Sequence, residues 1–143
     1  MMKQALLSAS IVLLTSSAVL LHADVNADVT AVEEAALAAV AQRIDGYNQH
    51  NVDAYLAAHD VDLEIYEYPD KSIGKGRAHL KKIFGPMLEK GVGRIVVNYQ
   101  TAVGNKVVSD EHVSYGGPGL QHIVAIYTVE DGLIVSVRLV ESD

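Results

Sequence analysis

Several residue types that carry chemistry are scarce or missing in this chain of 143 residues. It has no cysteine, no tryptophan and one phenylalanine. Without cysteine there can be no disulfide, thiolate metal site or cysteine nucleophile, so packing must stabilise the fold. Neither a phosphate-binding glycine loop nor a Gly-x-Ser-x-Gly motif occurs, and no histidine pair has zinc-ligand spacing with a glutamate partner. We therefore predict neither a metal nor a cofactor.

Basic residues are also few. The chain has 11 Lys and Arg against 18 Asp and Glu, a formal net charge of −7. An acidic surface repels the phosphates of nucleic acids and of anionic lipids. Nucleic acid is therefore not expected as a partner, and neither is a membrane surface after processing.

The N-terminal residues follow the order of a secretory signal peptide. Lys3 precedes an apolar run of 17 residues, 5–21, which is followed by small residues. An uncleaved membrane anchor is the alternative, but this run is at the short limit of the roughly 17–25 residues needed to span hydrocarbon.

Cleavage fits after Ala23 or after Ala27, and the residues do not decide between the two. We predict a signal peptide over residues 1–23, one domain over residues 30–143, and a periplasmic or secreted location.

Two helices are predicted at the start of the domain. Thr30 and Glu33 have capping-box spacing, and a helix follows them to about Asn48. Its apolar stripe consists of Val32, Ala36, Val40, Ile44 and Tyr47. Asn51 can cap a second, shorter helix.

The next stretch combines a strand with a helix. Alternation of Val61, Leu63 and Ile65 with polar residues predicts a strand with one buried face, and the same period places Glu67 on that face. A helix over residues 77–88 carries an apolar stripe that would pack on the sheet.

Glu67 is the first candidate for catalysis. A carboxylate in an apolar pocket has a raised pKa, as a general base acting near neutral pH requires. The alternative interpretation is a carboxylate at the rim, exposed or paired with Arg77 or Lys71.

The rest of the chain is rich in β-branched residues and is interrupted by glycine-containing turns. It predicts four strands in an antiparallel meander, over residues 94–103, 106–115, 120–130 and 133–140. Together with the preceding elements they indicate an α+β fold, a curved antiparallel sheet wrapped around three N-terminal helices.

A second candidate site lies in the middle of one of these strands. Because alternate strand residues face opposite sides, either Asp110 and His112 or Glu111 points into the interior. Asp110 and His112 would form an acid–base dyad there, whereas on the outer face they would be solvated.

Short segments throughout the domain resemble the SnoaL-like branch of the nuclear transport factor two-like (ketosteroid isomerase-like) superfamily. The resemblance is carried by residues 51–54, 61–69, 76–77, 104–108, 124–127 and 131–134. It implies a cone-shaped, cystatin-like roll with a pocket at its open end, often as a homodimer. Members include ketosteroid isomerases, polyketide cyclases, dehydratases and limonene epoxide hydrolases, so the fold does not select one reaction.

The resemblance also assigns roles to residues. Aligned with ketosteroid isomerases, Arg43 takes the place of their oxyanion tyrosine, and Ile65 that of their base, two residues before Glu67. Apart from the resemblance, Tyr47, Tyr99 and Tyr127 are candidate hydrogen-bond donors to a ligand carbonyl, and the alternative for each is a core tyrosine whose hydroxyl bonds within the protein. Phe84 is expected to contact the same ligand.

The predicted function is that of an exported pocket protein that binds a small, mainly apolar molecule. Proton transfer of the isomerase, cyclase or dehydratase type is the chemistry such a pocket would support. The alternative is a non-catalytic ligand-binding or dimerisation module.

Overall fold

The computed structural model describes residues 16–142, with side chains described from residue 30. The signal-peptide prediction therefore falls partly outside the described residues, because 1–15 are not among them. It stays a prediction.

Three helices precede most of the sheet. They are α1 (Ser16–Asn48), α2 (Val52–Ala57) and α3 (Arg77–Glu89). The side chain of Asn51 accepts a hydrogen bond from the backbone N–H of Ala54 at 3.0 Å, so the predicted cap of α2 is confirmed.

Six strands form one sheet. They are β1 (His59–Glu67), β2 (Lys71–Lys75), β3 (Arg94–Val103), β4 (Lys106–Ser114), β5 (Gln121–Glu130) and β6 (Leu133–Glu141). Their order is β2-β1-β6-β5-β4-β3, with β1 parallel to β6 and every other pair antiparallel. The predicted meander of β3, β4, β5 and β6 is confirmed, and its last strand, β6, also pairs with β1.

The sheet is curved and unclosed, and the helices cover its inner face. The core between these layers includes Val40 and Tyr47 of α1, Leu63 of β1, Val107 of β4 and Ala125 of β5, all buried. The predicted α+β architecture is therefore what the structure shows.

Two local predictions were wrong. Helix α1 does not begin at Thr30 but runs on from Ser16, because residues 16–30 contain no proline or glycine that would end it. The carboxylate of Glu33 accepts a hydrogen bond from the backbone of Gly104 at 3.3 Å. Residues 71–75 lie between the predicted strand and the predicted helix, where no element was predicted, and they form β2 as the second strand of a hairpin with β1.

Candidate functional site

A cavity of about 140 Å³ lies between the inner face of the sheet and helices α1, α2 and α3. Most of its lining is apolar or aromatic. The polar and ionisable side chains that reach it, apart from tyrosines, are Arg43, His59, His79 and Glu111. The cavity is comparable in volume to an engineered apolar cavity of about 150 Å³ that binds benzene.

An ion pair lies at the inner end of the cavity. Arg43 of α1 places Nη1 3.5 Å from Oε2 of Glu111 of β4, and these side chains are 13% and 1% exposed. The other carboxylate oxygen of Glu111 accepts a hydrogen bond from the hydroxyl of Tyr127 at 2.9 Å. The charge of Glu111 is therefore compensated from two sides.

Aromatic rings hold the guanidinium of Arg43 in place. Its Cζ atom lies 5.1 Å from the ring centre of Tyr127 and 5.9 Å from that of Tyr55, within the range of cation–π contacts. Burial acts to lower the pKa of Arg43, but Tyr127, Glu111 and Tyr55 outweigh it, so the pKa stays above its ordinary value. Arg43 is a permanent cation here.

One donor atom of Arg43 has no acceptor. Nη1 is buried and makes no hydrogen bond among the described residues, since its approach to Glu111 meets the distance of an ion pair only. A buried donor without a hydrogen bond costs about 1–3 kcal/mol, and the ion pair with Glu111 offsets part of that cost for Nη1.

His59 lines the same cavity in an uncharged form. It is 2% exposed, and its Nδ1 lies 2.8 Å from the backbone carbonyl oxygen of Tyr55. A carbonyl only accepts, so Nδ1 carries the proton and Nε2 is an acceptor. Burial first, and the charge of Arg43 second, lower the pKa of His59 to about 3.

Four aromatic side chains form one wall of the cavity: Tyr47, Tyr55, Phe84 and Tyr115. Tyr47 and Phe84 are two of the predicted ligand contacts. Phe84 of α3 packs edge-on against Tyr47 and Tyr55, with ring centres 6.1 and 5.8 Å apart, and stacks on Tyr115 at 6.2 Å. The hydroxyl of Tyr47 donates to the backbone oxygen of Ser114 at 2.9 Å. Tyr47 therefore lines the cavity with its ring while its proton is already used.

Tyr127 lies behind the cavity rather than along its surface. It is 1% exposed and donates to Glu111. Burial raises the pKa of Tyr127 well above its ordinary value, so the hydroxyl keeps its proton. Its position is that of a support for Glu111, not of a direct ligand contact.

The prediction that Glu67 faces the interior was wrong. Its side chain is 53% exposed, and Oε2 accepts a hydrogen bond from Nζ of Lys71 at 2.8 Å. Leu63 and Ile65 keep the predicted buried face, but Glu67 is the last residue of β1 and pairs with Lys71 across the hairpin. The alternative, a paired carboxylate at the rim, is what the structure shows.

Asp110 and His112 also lie outside the cavity, because β4 turns Glu111 inward. Asp110 accepts hydrogen bonds from Asn98 at 2.9 Å and from Nε2 of His122 at 2.8 Å. The rings of His112 and His122 stack with centres 4.8 Å apart. Hydrogen bonds from Asn98 and His122 lower the pKa of Asp110. The predicted dyad is part of an outer polar cluster, and of the two alternatives Glu111 faces inward.

Tyr99 was placed on the wrong face. The register of β3 against β4 shifts between Val97 and Tyr99, so Asn98 and Tyr99 both turn outward and Tyr99 is 65% exposed. A β-bulge adds one residue and reverses the alternation beyond it, and nothing in the local sequence marks its position.

Arg43 and His59 were not among the predicted site residues. Arg43 falls seven residues after Ala36 and four before Tyr47, so it interrupts the buried stripe of α1. A charged residue at a core position of a helix was the available signal. The sequence contains no comparable signal for His59, because a histidine beside the end of a helix is more often a core residue than a ligand contact.

Two features are absent from residues 16–142, the part of the chain that the structure describes. No three His, Asp or Glu side chains are grouped closely enough to ligate a metal ion. Within the same part of the chain, no helix combines the length and apolar character of a membrane span.

Comparison with known proteins gives a family match. Residues 40–137 match the sequence profile of the SnoaL-like domain. A comparison with curated proteins found no match.

Solved structures share the fold. An epoxide hydrolase of the LEH-like type from M. tuberculosis superposes with a TM-score of 0.63 at 19% identity, covering 77% of this chain and 84% of that one. A SnoaL-like protein of unknown function from Burkholderia thailandensis E264 gives 0.62 at 14% identity, covering 77% and 96%. TerC, co-crystallised with polyporic acid, gives 0.59 at 18% identity, covering 76% and 92%.

Proposed function

The chain belongs to the SnoaL-like domain family, and on that premise we propose that its cavity binds a small, mainly apolar molecule through one oxygen atom of that molecule. The observation that carries the proposal is the guanidinium side chain of Arg43, a cation with 13% of its surface exposed that lines a mainly apolar cavity. A ligand of this kind would pack on the aromatic wall and place its oxygen against Arg43.

The size and lining of the cavity support an apolar body for the ligand. A volume of about 140 Å³ holds one six-membered ring, and a larger molecule would extend toward the open end. The rings of Phe84 and Tyr55 both line the cavity, and their centres lie 5.8 Å apart in an edge-to-face pair, a distance typical of aromatic pairs. Removing a phenyl ring from water into this lining supplies most of the binding energy.

The polar end of the ligand is specified by Arg43. A hydrogen bond to a charged donor contributes about 1.5–3 kcal/mol. A carbonyl oxygen fits this donor. TerC, which shares the fold, was co-crystallised with a small molecule, which agrees with binding in this class of fold.

Proton transfer is the second candidate function, with His59 as the acceptor of the proton. The neutral form of His59 leaves Nε2 without a proton, and the residue lines the same cavity as Arg43. A carbonyl polarised by Arg43 becomes more acid at the adjacent carbon, but the pKa of His59, lowered to about 3, makes Nε2 a weak base, so we expect the transfer to be slow at neutral pH. Glu67, Asp110 and His112 have no part in this scheme because they lie outside the cavity.

Acetophenone and ethylbenzene test the binding proposal, because they share a shape and differ in the oxygen. We expect the wild-type protein to bind acetophenone, as measured by NMR titration. The double variant Arg43→Met/Glu111→Leu should bind acetophenone about tenfold more weakly and ethylbenzene no more weakly. Replacing both charges together avoids a buried, unpaired carboxylate.

Glu67→Gln is the matched control, since it removes a carboxylate outside the cavity, and it should bind like the wild type. Binding of neither compound to the wild type, or an unchanged ketone affinity in the double variant, would contradict the proposal. In D₂O the same spectra follow exchange of the acetophenone methyl protons. Exchange faster than in buffer, and slowed by His59→Phe, is the result expected if proton transfer occurs.

A further inference from the structure

Glu111 fixes a negative charge beside the donor that receives the ligand. Its side chain is 1% exposed, with Oε2 3.5 Å from Nη1 of Arg43 and Oε1 bonded to the hydroxyl of Tyr127 at 2.9 Å. These two contacts hold the carboxylate in one place inside the core. Because Arg43 and Glu111 both line the cavity and are paired, a ligand group that reaches the guanidinium of Arg43 also comes close to Glu111.

The charges at the inner end of the cavity cancel. Arg43 is the one arginine and Glu111 the one carboxylate among the lining residues that the structure describes, and no lysine is among them. A neutral oxygen can accept from Arg43 and leave this balance intact. A carboxylate would bring a second negative charge next to Glu111, and charges of like sign repel strongly in a site that excludes water.

We propose that Glu111 is a specificity-determining residue that restricts the cavity to uncharged oxygen compounds, such as ketones, and rejects carboxylates of the same shape. This inference rests on the proposed binding function. Glu111 then has two roles: it attracts Arg43, and it repels a ligand that carries a carboxylate. The remaining acidic residues act in the same direction but weakly, because exposed charges are screened beyond about 8–10 Å at physiological salt.

Acetophenone and benzoate form the test pair, since both carry a phenyl ring and a planar group of the same size, and benzoate is ionised at neutral pH. We expect the wild-type protein to bind acetophenone at least about tenfold more tightly than benzoate. Glu111→Gln keeps the shape and one acceptor oxygen but removes the charge. In this variant benzoate should bind at least as tightly as acetophenone, because Arg43 is then an uncompensated cation.

Glu67→Gln changes the net charge of the chain by the same amount outside the cavity, so its preference should equal that of the wild type. Benzoate bound by the wild type as tightly as acetophenone would overturn the inference while leaving the binding function intact. So would an unchanged preference in Glu111→Gln. Failure of the wild type to bind either compound would instead remove the proposed function. Because the wild-type comparison needs no variant, the inference stays falsifiable even if Glu111→Gln does not fold.

Discussion

The imidazole of His59 is held neutral by its position between two helices and the sheet. It follows α2, bonds back to the carbonyl of Tyr55, and lies with its ring centre 5.0 Å from that of Tyr55. Arg43 and Arg77 both face it with positive charge, and Arg77 donates to its backbone oxygen. Burial and these two cations all disfavour protonation.

This arrangement predicts a loss of stability in acid. The pKa of His59 is about 3 in the folded protein and 6.5 in the unfolded chain, so the unfolded chain binds more protons between these values. The stability is present above pH 6.5 and is lost as pH falls toward 3, by about 4 kcal/mol for this residue. Urea unfolding from pH 7 to pH 3 measures it, with His59→Phe expected to show a smaller loss than the wild type.

The wild type is the reference for His59→Phe, because the two chains differ only at position 59. Carboxylates contribute to acid unfolding in every variant, and the comparison removes their share. Parallel curves for wild type and His59→Phe down to pH 3 would show that His59 is not the cause.

Single residues were also where sequence reasoning failed most often. Inward and outward side chains alternate along a strand only while its pairing keeps one register. The bulge between Val97 and Tyr99 shifts the register of β3 against β4, so the predicted alternation fails from Tyr99 onward. Glu67 obeys the alternation but lies where the strand leaves the core. For β4 the sequence left two alternatives, with either Glu111 or Asp110 and His112 facing inward. The burial of the Glu111 side chain decides between them.

At the scale of elements, α1 and α2 approach each other through a glycine. A Cβ atom on Gly46 would lie 2.5 Å from the backbone nitrogen of Tyr55 and 2.7 Å from its Cα. Backbone atoms cannot move aside as a side chain can. Because position 46 has no side chain, α2 can pack closely against α1. This close packing fixes the positions of Tyr55 and His59.

We predict that Gly46→Ala is destabilising by about 1–3 kcal/mol, because α2 must shift away from α1. The same shift should weaken binding of acetophenone, since Tyr55 lines the cavity. Urea unfolding and NMR titration measure the two effects. Gly117→Ala is the control, because a Cβ there meets nothing within 4 Å and its stability should change by less than about 0.5 kcal/mol. Equal stability of both variants would contradict the close approach.

Most elements were predictable because their signals are local. The Asp-Gly turn at 131–132 and the cap at Asn51 each fix a boundary from two to four residues. Strand β2 was not predictable in this way. Its five residues include two lysines and a glycine, and they are extended because the hairpin pairs them with β1, which is a tertiary cause.

At the scale of the whole molecule, every buried side chain that the structure describes lies after both candidate cleavage sites. Side chains are described from residue 30, and Ala36 is the first of them that is buried, whereas the sites follow Ala23 and Ala27. Cleavage at either site would therefore remove none of these buried side chains. Export remains a prediction of the sequence, as does the homodimer.

We predict that the chain expressed in a bacterium is processed to begin at Asp24 or Asp28. Intact-mass measurement of the periplasmic fraction decides between the two. Leu13→Arg places a charge in the apolar run and should leave the full-length chain inside the cell, because a charged residue disrupts the apolar core of a signal peptide. A wild-type chain that keeps Met1 and stays in the cytoplasm would contradict the prediction.

The place of β6 in the sheet sets the order in which the molecule can be completed. This strand, Leu133–Glu141, is the last element of the chain, yet it pairs with β1 on one side and β5 on the other. While the ribosome still holds those nine residues, the hairpin of β1 and β2 is not paired with strands β3, β4 and β5. A nascent chain therefore cannot complete its sheet step by step during synthesis, and a message truncated before codon 133 would yield a sheet in two pieces that only the helices connect.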